Sequence, residues 1–178
     1  VDFGAPWVDV DGDGEYTPLP SGTDHPKFLG DQVLWFVSTD EDPSSKENFG
    51  TAPMNVEIQT TMFGFDRIDA IGDMLFVIQT VINKGTDTLD NTYLGIWSDP
   101  DLGYAGDDLV GCDVGLGMAY VYNDGVDSQY DNLDTGTPAA GYDFFQGPMV
   151  DCIDPDDTVE CPAQGAKMFG TYHPGKKN

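Results

Sequence analysis

Basic residues are what this chain has least of: seven Lys and Arg stand against 32 Asp and Glu, for a formal charge of -25. That balance speaks against a nucleic-acid partner, because phosphate binding needs a basic surface and seven scattered cations make none. Long apolar runs are missing too. No stretch of 18 residues is apolar enough to span a membrane as a helix. Only two histidines occur, His25 and His173, both in Pro-flanked loops near opposite ends, and there is neither a G-x-S-x-G nor a C-x-x-C motif. Serine, cysteine and zinc chemistry therefore lack their usual residues. Glutamate is scarce, 5 against 27 aspartates. Glu suits helices whereas Asp suits turns, caps and metal loops, so the charge is expected in connections. No segment carries a 3.6-residue apolar stripe of ten residues, so helices should be few and short.

What is present is aromatic and β-branched. Three Trp, eight Tyr and ten Phe can fill a core, which argues against a disordered acidic chain. Runs at 33–39, 55–65, 73–83, 92–98, 117–123 and 142–150 are bounded by Gly, Pro, Asn and Asp and predict strands. In the second run Val56, Ile58, Thr60 and Met62 alternate with Glu57, Gln59, Thr61 and Phe63, predicting one buried face. Residues 83–92 read as a hairpin-like connection turning at Lys84-Gly85. Residues 124–141 form a long stretch of turn formers, functional or mobile by its length. The fold class is all-β, an antiparallel β-sandwich of Ig-like or jelly-roll-like kind with long Asp/Gly-rich calcium loops and little helix. It reads as one β-rich module over 1–178: a calcium-loop segment 1–32, a sandwich core 33–150, and a Cys-bracketed loop and tail 151–178. A start at VDFGAPW and a stop at PGKKN suggest a piece of a longer protein.

The segment WVDVDGDGEYTPLP sets Asp9, Asp11 and Asp13 one residue apart, with Gly12 and Gly14 between and after them. Such charges repel unless solvent or a cation separates them, and hard oxygen ligands are what Ca2+ takes in sets of six to eight. In an EF-hand loop these aspartates would be positions 1, 3 and 5, Gly14 the turn at 6 and Glu15 the main-chain carbonyl at 7. Position 12 is Pro20, so no bidentate Glu closes the site, and Pro6, Pro18, Pro20 and Pro26 break any flanking helix. A calcium loop outside the EF-hand fold is expected, with Asp24 or Asp31 as later ligands; the plain alternative is an Asp/Gly turn without metal. A second cluster at 96–113 brings Asp99, Asp101, Asp107, Asp108 and Asp113 into one glycine-rich loop. The acidic stretch from Thr39 to Pro43, at a strand end, is a weaker candidate and reads rather as a turn.

Cys152 and Cys161 bracket a polar loop and are expected to form a disulfide, which points to an oxidising compartment. Cys112 is then left over and expected to be buried; its neighbours Asp107, Asp108 and Asp113 disfavour a thiolate nucleophile. Glycoside hydrolysis needs two placed carboxylates, but in so acidic a chain their presence discriminates nothing, and Glu57 falls on a solvent face. Trp7, Trp35, Trp97, Tyr104 and Tyr142 are candidates for stacking on sugar rings, although Trp35 and Trp97 lie in strand runs and are expected in the core.

GAPWVDVDGDGEY, HPKFLGDQVLWFV, GFDRIDAIGDMLFV, INKGTDTLDNTYLGIWSDPDLGYAGDDLVGCD and GYDFFQGP together resemble a region of large secreted proteins of Bacteroidota and related phyla, many of which end in a type IX secretion sorting domain. The resemblance runs from about residue 2 to 150 and implies an exported or surface-attached protein with β-rich modules; it implies no reaction, and the 151–166 insert lies outside it. The expectation is thus a calcium-stabilised extracellular module with a structural or adhesive role, bound to other modules of its own protein or to neighbouring copies. The rival is a carbohydrate-binding module or a fragment of a carbohydrate-active enzyme.

Overall fold

The computed structural model describes residues 4–42, 50–90, 92–130 and 136–145 in full and the backbone of 165–168 and 171–174. Among the described residues every regular element is a strand and every strand pairing is antiparallel, so the all-β architecture is present, with sheets of the kind that β-sandwiches stack. No helix long and apolar enough to cross a membrane occurs among them. The chain divides into two compact units, Val1–Tyr93 and Leu94–Asn178, the boundary falling inside the span read from sequence as one core.

The first unit holds β1 (Trp7–Val8) paired with β2 (His25–Pro26), and a three-stranded sheet of β3 (Gln32–Thr39), β4 (Val56–Gly64) and β5 (Phe76–Asn83) in that order. Register puts Trp35 opposite Thr61 and Thr61 opposite Ile78. Leu34, Met62 and Val77 therefore share one face, and Val33, Phe63 and Phe76 the other. Phe63 and Phe76 stack with centroids 5.3 Å apart, and Phe65 meets both edge-on. Aspartates clasp both ends of the β3–β4 pair. Asp31 accepts the Asp66 N–H at 2.8 Å, and Asp40 accepts those of Met54 and Val56 at 2.7 and 2.8 Å. The expected single buried face of β4 is not found: its residues are half-covered on both sides and only Thr60 is buried, because β4 is central and shielded by its neighbours' side chains while Leu34, Phe36, Val77 and Ile78 on the edge strands stay exposed.

The second unit holds β6 (Asp108–Asp113), β7 (Met118–Asn123) and β8 (Ala140–Asp143), in that order, and a pair β9 (Gly165–Met168) and β10 (Thr171–Pro174). The β6–β7 turn is closed by Asp113, which accepts the Leu116 N–H at 3.0 Å. Tyr120 lies over its cross-strand partner Gly111, where a Cβ would come within 2.6 Å of the ring. Val121 is the buried apolar residue of β7.

Two expectations are corrected. Residues 92–98 form no strand: Tyr93, Leu94, Ile96 and Trp97 are exposed and make no ladder, so the connection after Asn83 closes no hairpin. Asn83 instead makes a local turn, accepting the Gly85 N–H and donating to the Asp87 carbonyl. Of the run 142–150, strand structure is described only for Tyr142 and Asp143, at the end of β8; residues 146–150 lie outside the described set.

Candidate metal centre

The first acidic loop is closed below by the β1–β2 ladder and by Trp7 packing edge-on against Tyr16, centroids 5.5 Å apart. Gly12 and Gly14 adopt φ of 77° and 81°, a left-handed conformation that glycine takes without the Cβ penalty. This turns the Gly12 and Gly14 amides onto the two oxygens of Asp9, at 2.6 and 2.9 Å. Asp11 accepts the Asp13 N–H and Asp13 the Glu15 N–H, at 3.2 and 2.7 Å. The strand turn at Pro18–Asp24 then returns a third carboxylate. Asp24 is 3 % exposed and accepts the Val10 and Thr17 amides at 2.9 and 2.8 Å.

One oxygen from each of Asp9, Asp11 and Asp24 lies within 4.8 Å of the others. Oxygens on opposite sides of a calcium ion, each bonded at about 2.3–2.6 Å, are separated by about that span. The structure thus brings Asp24 into the group and leaves out Asp13 and Glu15, whose chain has turned away, and Asp31, which is engaged at the sheet end. Electrostatics registers the crowding. The Thr17 amide first, then the Val10 amide, hold the Asp24 carboxyl below the ordinary carboxylate range against the cost of burial. Asp11 moves the other way: the Asp13 amide favours its charged form, but burial and the charges of Asp13, Asp24 and Asp9 outweigh it, and its carboxyl is pushed up.

The second acidic loop is organised around a residue the sequence did not single out. Asp127 is 0 % exposed and its carboxylate accepts the Tyr104 N–H at 2.6 Å and the Gln129 N–H at 2.5 Å. Gly103 sits against it with φ of 89°; a Cβ there would stand 2.5 Å from the carboxylate. Nothing local marks Asp127 among the turn formers of 124–141. Asp107 accepts the Asn123 side-chain N–H at 3.0 Å, and Asp108 the Leu102 N–H at 3.0 Å. Asp113 serves the β6–β7 turn, and Asp99 and Asp101 are exposed. The five predicted aspartates are therefore divided: Asp107 and Asp108 converge with Asn123, and the other three do not join them.

Other expected residues are placed as follows. Cys112 is exposed, not buried, because β6 offers that side of the strand no cover. Trp97, expected in the core, is 84 % exposed, having no strand to carry it inward. Trp35 is half-buried. Glu57 is more covered than a solvent face implies, held by Gln59 at 2.9 Å and by Lys84 at 3.5 Å. Cys152 and Cys161 lie outside the described residues. Compared with known proteins, the chain matches no family model, no curated protein and no solved structure.

Proposed function

We propose that this chain is a calcium-stabilised, exported β-rich module with a structural or adhesive role in a larger surface protein. The observation that carries the reading is the convergence of Asp9, Asp11 and Asp24, three carboxylates with no Lys or Arg among their hydrogen-bond partners in the described residues, in a span one calcium ion bridges. Three protein carboxylates leave half or more of the coordination to main-chain oxygens and water, the pattern of weak sites filled at extracellular, millimolar calcium. The exposed β5 edge and the apolar residues on both faces of the first sheet suit association with neighbouring modules.

Thermal unfolding with calcium and with EDTA tests it. At a hundredfold excess over the dissociation constant, the native state gains about 2.7 kcal/mol. For a unit of this size the midpoint then rises by roughly 10 °C or more. Coincident melts overturn the metal reading. A second reading, glycan binding, draws on the exposed rings of Trp97 and Tyr104. Loss of glycan-array binding in Trp97→Ala with the fold intact favours it over the structural role.

A further inference from the structure

We propose that the corner formed by Asp107, Asp108 and Asn123 in the second unit holds its own divalent cation, of the hard, oxygen-seeking class typified by calcium. Asp108 and Asn123 face each other as the first cross-strand pair of β6 and β7, so their side chains leave the sheet on one side with Cβ atoms about 5 Å apart. Both then reach the same residue. Leu102 N–H donates to Asp108 Oδ2 at 3.0 Å, and Asn123 Nδ2 donates to the Leu102 carbonyl at 3.4 Å and to Asp107 Oδ1 at 3.0 Å. These bonds fix both orientations: Asn123 has its amide nitrogen on two acceptors, so its oxygen is turned the other way.

What remains is Asp108 Oδ1 and Asn123 Oδ1. Both are sealed from solvent, and neither meets a donor among the described residues. A buried acceptor left without a partner is costly, more so when charged, and two on one strand pair are rarely tolerated. Buried water donating to these oxygens would meet the hydrogen-bond deficit. It would leave the charge untouched. No Lys, Arg or His occurs between Lys84 and Lys167, while residues 94–145 alone carry ten aspartates, so this stretch of chain supplies no counter-charge for the adjacent Asp107 and Asp108. A cation answers both deficits, and carboxylate and side-chain amide oxygens are ligands that calcium takes.

The proposal shares its ion type with the reading above but none of its residues. The test counts calcium bound per chain by equilibrium dialysis, with circular dichroism checking the fold. In Asp108→Asn the side-chain oxygen keeps the Leu102 N–H while the charged ligand is lost. The expected result is one ion fewer than in the unaltered chain. Asp9→Asn/Asp11→Asn removes a different ion, and the combined variant lacks both. An unchanged count in folded Asp108→Asn overturns the proposal and assigns the pair to water. Loss of an ion in Asp108→Asn alone sinks the first-loop reading and leaves this one standing. Should Asp108→Asn fail to fold, the unaltered 15N-labelled chain decides: the Asn123 side-chain amide resonance moves on calcium titration if its oxygen is a ligand, and a stationary resonance overturns the proposal.

Discussion

Each unit ties down an aspartate-rich loop with one buried aspartate that collects two main-chain N–H groups, yet the two clamps sit differently among their neighbours. Asp24 gathers Val10 and Thr17 and lies beside Asp9 and Asp11, so the clamp is itself one of the crowded charges. Asp127 gathers Tyr104 and Gln129 and stands apart from Asp107 and Asp108, which are bound to Asn123 and Leu102. A carboxylate that accepts two amides is held by hydrogen bonds alone. One that must also share its space with two like charges is held only as well as those charges are screened. The first loop should therefore respond to cations through its clamp, whereas the clamp of the second should be indifferent to them.

The largest effect is expected at Asp127. Asp127→Ala strands two part-buried donors at about 1–3 kcal/mol each, and denaturant unfolding should show a loss of about 3 kcal/mol, unchanged by calcium. A loss that calcium restores would erase the contrast between the clamps. Asp24→Ala comes next. It should lower the melting midpoint in EDTA by several degrees through the orphaned Val10 and Thr17 amides, and should also remove the calcium-dependent rise of the first unit. The smallest effect belongs to Asp11. Its carboxyl is raised in the folded state, so its contribution to stability is full below its unfolded pKa and is lost as pH rises through the folded value; Asp24, held low, contributes above its unfolded pKa and loses that as pH falls through its folded value. In EDTA, Asp11→Asn should flatten the first of these two slopes and raise the midpoint slightly above pH 5, while in calcium it should lower it. A melt series from pH 3 to 7 with and without calcium separates the two carboxyls.

Strands with strong alternation are legible in the sequence: β3, β4 and β7 fall within a residue or so of their β-branched and aromatic runs. TYLGIWS has the same composition and forms no strand, because β-propensity measures fit to a paired, half-covered surface and this segment has no pairing partner. The converse error is β6. DLVGCD begins and ends in aspartate and carries a glycine at its centre, so it read as loop; it is a strand because Tyr120 covers Gly111 from across the ladder, a long-range contact that spacing does not encode. The site divides in the same way. Asp9 and Asp11 were visible in their two-residue spacing, and Asp24 was named as a later ligand. Asp13 and Glu15 fit the spacing but not the turn that Gly12 and Gly14 impose. Asp127 and Asn123 were invisible, since their roles depend on residues 23 and 21 positions earlier in the chain.

The stretch without Lys or Arg, from Gly85 to Ala166, covers all of the second unit for which side chains are described. Trypsin, which cuts only after those two residues, consequently has no internal site there: digestion releases β6, β7 and β8 together with both acidic features of that unit on one peptide ending at Lys167. The first unit, with Lys27, Lys46, Arg67 and Lys84, is cut at several positions along its sequence. A single protease thus cuts the first unit into several pieces and keeps the three-stranded sheet of the second on one.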